Sequence, residues 1–185
     1  LSRPLPASAH GPQAPLEPAE LARRAEALRS LFQGALLKWL KDDKSPATIK
    51  DLTDVCDQLV PITWAEPARR LFWVAGGLLD AIGKGGLAST APLKQAIGKV
   101  EREIKRLVDG GDAHFRNNPP LDLTKQLLFF AAQENTDAGR IAAVRDAKRF
   151  TNGIVSVPTR GPGYGASHVL AYLAIDDGGL EAVGH

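Results

Sequence analysis

Apolar residues recur at helical spacing through the middle of the chain. Leu21, Leu28, Leu31, Phe32, Ala35, Leu36, Trp39 and Leu40 repeat as one helix face, opened by Pro18 and interrupted at Asp42-Asp43-Lys44. Ser45-Pro46 reads as an N-cap with proline in the first turn, where its missing N–H costs nothing. The second helix then runs through Ile49, Leu52, Val55, Cys56 and Leu59 to Pro61. Thr63, with Glu66 three residues on, fits a capping box for a third helix. That helix carries Ala68, Leu71, Phe72, Ala75, Leu78, Leu79 and Ile82 and ends in the glycines 83, 85 and 86. Thr90 and Pro92 open a fourth. Its Leu93, Ile97, Val100, Ile104 and Leu107 alternate four and three apart, and Asp109-Gly110-Gly111 stops it. Asn118-Pro119-Pro120 introduces a fifth helix through Leu123, Leu127, Leu128, Phe130 and Ala131. Asp137 caps a sixth, through Ile141, Val144, Ala147 and Phe150. Six helices on short connections predict an all-α antiparallel bundle.

Composition marks off the ends. Residues 1–18 hold five of the thirteen prolines and read as a Pro-rich linker. Residues 151–185 hold seven of the eighteen glycines and read as a Gly-rich tail, with a short strand or coil at Ile154, Val155 and Val157. The folded unit is therefore expected over 19–150. There is no methionine, so position 1 is no initiator, and the expectation is a chain processed or excised from a longer protein. The longest uncharged apolar run, Leu71 to Leu79, is far short of the roughly 20 residues of a membrane span. No membrane insertion is expected.

Charge and reactive side chains narrow the function classes. The formal net charge is +2, with 24% charged residues, which is not a polybasic nucleic-acid binder. One cysteine excludes an intrachain disulfide and any multi-cysteine metal centre. Cys56 falls on an apolar helix side with no histidine near it in sequence, which favours a buried thiol over a nucleophile. Asp51, Asp54 and Asp57 line one helix beside Lys50 and read as a solvated face rather than a metal site. Ser167, His168 and Asp176 can be named as a triad only on paper, because no nucleophile elbow surrounds the serine. Gly161-Pro162-Gly163-Tyr164-Gly165 lacks the lysine of a phosphate loop. His114 lies in a segment read as a solvated loop. On the fourth helix, Lys99, Arg102, Lys105 and Arg106 form a candidate interaction surface. Glu101 and Glu103 there are expected to pair with Lys105 and Lys99. Tryptophans 39, 64 and 73 are expected in the core if each indole N–H finds a partner. No catalytic residue, metal or cofactor is expected.

Three blocks carry a family resemblance: Arg69-Arg70-Leu71-Phe72-Trp73-Val74-Ala75-Gly76-Gly77-Leu78-Leu79-Asp80-Ala81, then Leu93 through Gly111, then Pro119-Pro120 to Ala132. In order and spacing they resemble the FimL family and the N-terminal region of the related type IV pilus chemosensory hybrid kinases. The resemblance implies a bundle like a histidine phosphotransfer domain. An active domain of that kind places His-x-x-Lys-Gly on a helix face. Aligned on Phe72-Trp73-Val74-Ala75-Gly76, the glycine is kept, while Phe72 stands for the histidine and Ala75 for the lysine. Phenylalanine has no nucleophilic nitrogen, so the site would be degenerate. The resemblance then implies a non-catalytic scaffold domain that binds other signalling or polar proteins, cytoplasmic and recruited to the cell pole, in signalling that controls twitching motility. Two alternatives stand beside it: a working phosphotransfer domain using His114, and a helical dimerisation module of an unrelated regulator.

Overall fold

The computed structural model describes residues 11–133. Five α-helices follow one another: α1 (Pro18–Lys41), α2 (Pro46–Leu59), α3 (Glu66–Gly83), α4 (Ala91–Asn117) and α5 (Leu121–Ala131). A short 3-10 turn, Val60–Ile62, extends α2. The expected sixth helix at 137–150, the tail strand, the glycine-rich run and the Ser167/His168/Asp176 set lie outside the described residues.

The first two starts follow from local sequence. Pro18 sits at the start of α1, and the Ser45 hydroxyl accepts the Thr48 N–H at the start of α2. Thr90 does the same for Leu93 at α4. The start of α3 departs from expectation. Thr63 is fully buried, donates its hydroxyl to the Leu59 carbonyl, and stands two residues ahead of the N-cap position, Ala65, so it is not the cap. Asp112 takes over, accepting the N–H groups of Trp64 and Ala65 at 3.0 Å each.

Asp112 can do so because α4 breaks where its glycines stand. Gly111 has φ 62° and ψ −164°, a left-handed setting that glycine tolerates best. The chain does not stop there, however. It resumes helix to Asn117 and brings Phe115 into the core with no exposure. His114 therefore lies on this short helical segment, exposed, and not in a loop.

Four helices form a ring: α1 packs on α2 and α4, and α3 packs on α2 and α4. Alternate directions are fixed by the short connections and by cross-links between α1 and α4. Arg29 and Gln33 bond Glu101, while Asp43, just beyond α1, bonds Lys94. Numbers rise along one helix as they fall along the other, which is antiparallel packing. The fifth helix lies against α3 and α4.

With neighbours on three sides, α3 must be apolar nearly all round. Leu71, Phe72, Ala75, Leu78 and Leu79 have no exposure at all. Each large side chain among them contributes about 1.5–3 kcal/mol through burial. Gly83 marks the close approach to α2, because a Cβ there would lie 3.2 Å from the Ile49 methyl. Two expectations for α1 are corrected. Leu31 and Leu40 lie outside its buried stripe and are exposed. Trp39 is fully buried, yet its Nε1 has no hydrogen-bond partner. Ahead of α1, Leu16 packs against the core, and Gly11 fits so tightly that a Cβ would meet Arg69 and the Thr63 carbonyl.

Candidate functional site

The core placement of α3 decides what its chemistry can be. Phe72 and Ala75 have no exposure, and Gly76 is buried as well. A phosphoryl donor needs an exposed acceptor. This stretch offers packed hydrocarbon instead. Cys56 is buried at zero exposure on α2. Along α2, Lys50 bonds Asp54 at 2.7 Å, and among the described residues no group of three or more His, Cys, Asp or Glu is placed to hold a metal ion.

Between α2 and α3 runs a trough of about 400 Å³ floored by Ile49, Thr53, Leu79 and Gly83. A second hollow of about 380 Å³ shares Pro46, Ile49 and Gly83 with it. The rim charges are tied within their own helices, Lys50 to Asp54 and Lys84 to Asp80 at 2.8 Å. No nucleophile and base converge there.

The outer face of α4 is the more distinctive surface. Lys99 and Arg102 are exposed and have no charge partner among the described residues. Lys105 is bound to Asp109, whose carboxyl the ammonium holds below the usual range. Arg106 is half-buried. It bonds Glu103, donates to the Asn118 carbonyl at 2.8 Å and lies over the Phe115 ring. It therefore fastens the segment after Gly111 to the rest of α4. The expected pairs of Glu101 with Lys105 and Glu103 with Lys99 are replaced: Glu101 bonds Arg29 and Gln33 across the bundle, and Glu103 bonds Arg106. Of the four cations singled out by sequence, Lys99 and Arg102 remain available to a partner.

Sequence reasoning missed Asp112 and Phe115. Both stand in a stretch with two glycines, which reads locally as a turn. The signal that could have found them is a lone apolar aromatic four residues beyond the second glycine.

A family model described as the FimL scaffold protein second domain matches residues 17–157. The scaffold protein FimL of Pseudomonas aeruginosa is 25% identical over 128 residues, covering 69% of this chain and 22% of the relative. The chain thus spans about a fifth of that relative's length. No solved structure matches the chain.

Proposed function

The chain belongs to the FimL scaffold second-domain family, and we propose that it is a non-catalytic docking domain of a bacterial chemosensory system controlling type IV pili and twitching motility. In this reading it works in the cytoplasm, is recruited to the cell pole, and binds other signalling or scaffold proteins. The observation that carries it is the burial of Phe72 and Ala75 at the position a phosphotransfer domain would keep open. The scaffold name of the relative supports the same reading, as does the exposed Lys99–Arg102 pair, which leaves surface rather than a reactive centre for recognition.

One observation favours a second reading. His114 is exposed on a helical segment, where an imidazole could meet a phosphoryl donor. Against it, Asn117 and Asn118 stand where lysine and glycine would follow. Incubation with an active histidine kinase and ATP separates the two. The docking reading expects no phosphohistidine and capture of signalling proteins from a piliated bacterium. Stoichiometric phosphohistidine, lost in His114→Ala, would replace it with phosphotransfer.

A further inference from the structure

We infer that the outer seam between α1 and α4 is a docking groove for an acidic amphipathic helix of a partner protein. The inference rests on the scaffold reading and gives it a surface. Two stripes define the seam. On α1, Gln33, Leu37 and Leu40 follow one another at helical spacing. On α4, Lys94, Gly98, Glu101 and Lys105 do the same. The register between them is set by Gln33 on Glu101 and by Asp43 on Lys94, so Leu37 stands level with Gly98.

At that level the seam is open. A Cβ on Gly98 would meet nothing within 4 Å. On α1, Leu37 is 61% exposed and Leu40 48%. A glycine inside a helix costs about 1 kcal/mol against alanine, and here no packing of the domain itself requires it. A partner backbone approaching closely would require it. Two exposed leucines on α1 and a bare position on α4 suit an apolar ridge laid along the seam.

The rim selects the charge of that ridge. The acids on the two stripes are engaged: Glu101 by Arg29 and Gln33, Asp43 by Lys94, Asp109 by Lys105, while Asp42, just past α1, accepts the Lys44 N–H. Lys41, Lys99 and Arg102 are exposed with no charge partner among the described residues. The surplus is cationic, so glutamates or aspartates flanking the ridge would complete it.

The test uses the 185-residue chain and two fluorescent helical peptides of about 20 residues, roughly 30 Å long. Both carry leucines at i, i+3 and i+7, one flanked by glutamates and the other by lysines. The acidic peptide is expected to bind at least about tenfold more tightly, with affinity falling as salt is raised. Leu37→Glu, Arg102→Glu and Gly98→Leu should each weaken it. Gly98→Leu should do so without lowering the unfolding temperature, which a merely structural glycine would not show. Equal binding of both peptides, binding of neither, or wild-type binding by Leu37→Glu and Gly98→Leu would overturn the inference. So would self-association by sedimentation that these variants abolish, since the occupant would then be a second copy. In parallel capture from a piliated bacterium, equal capture by wild type and Leu37→Glu removes the seam and leaves the scaffold reading. No capture by either removes the scaffold reading.

Discussion

Asp112 anchors the entry to a helix that begins 46 positions before it in the chain: its Oδ1 accepts the N–H of Ala65, the residue immediately ahead of α3, and the Trp64 N–H as well. Two orphan donors share one charged acceptor. The bond also ties the break in α4 to the start of the central helix. Asp112→Ala should therefore lower stability by about 2 kcal/mol, in the range for lost caps and charge-assisted bonds. Glu66→Ala removes an ion pair with Arg70 in which the carboxylate is exposed and should cost about 1 kcal/mol or less. Urea titration of both variants checks this. The reverse ranking would restore the Thr63–Glu66 capping box.

Two glycines of α4 should respond with opposite signs. Gly111→Ala forces a Cβ into a positive-φ setting that is nearly glycine-only and should destabilise by about 1–3 kcal/mol. Gly98→Ala adds a methyl in open space on a helix and should stabilise by up to about 1 kcal/mol. Thermal unfolding of the two variants decides it.

Trp39 fills the core with an unpaired indole N–H. Trp39→Ala should cost about 3–5 kcal/mol through the cavity. Trp39→Phe should cost much less, because it also removes a buried orphan donor worth about 1–3 kcal/mol. A Phe variant as unstable as the Ala variant would contradict the missing partner.

Restoring the residues of a working phosphotransfer site should unfold the domain rather than activate it. Phe72→His with Ala75→Lys places a polar ring and an ammonium in side-chain positions with no exposure. The cost should exceed about 4 kcal/mol, a large part of the roughly 5–15 kcal/mol of a typical domain. A folded, stable double variant seen by circular dichroism would contradict the buried placement.

Glu20 gives a pH signature. Hydrogen bonds from Arg23 and Arg24 hold its pKa down at about 2, below the ordinary value of 4.5. A depressed folded-state pKa means the contribution is present above about 4.5 and is lost as pH falls toward about 2. Amide exchange in the first turn of α1 should rise over that window, with Glu20 titrating near its low end by carboxyl NMR. Titration at an ordinary carboxylate value would show that the Arg23 and Arg24 bonds do not form in solution.

The helices over the described residues were legible because each carries its own signals. Ser45-Pro46 and Thr90 with Pro92 are contiguous start signals, and the seam from Leu93 to Leu107 is a repeat within one element. All five of those residues are buried, as their spacing requires. The blocks around Phe72, Val100 and Leu127 likewise carried the family, because hydrophobic order survives in linear sequence. The candidate surface was legible only in part. Lys99 and Arg102 face solvent as spacing suggests, but Arg106 was lost to Glu103, Asn118 and Phe115.

Sequence by itself determined a helical bundle with a central apolar helix around Leu71 to Leu79, because periodicity and propensity are local properties. Tertiary structure alone decided that Asp112 holds the chain entering α3 and that Glu101 turns to Arg29. Each of these joins residues more than 40 positions apart. Their partners are chosen by the register of one helix on another, and no local pattern records that register. In the same way, packing on three sides buried Phe72 and Ala75.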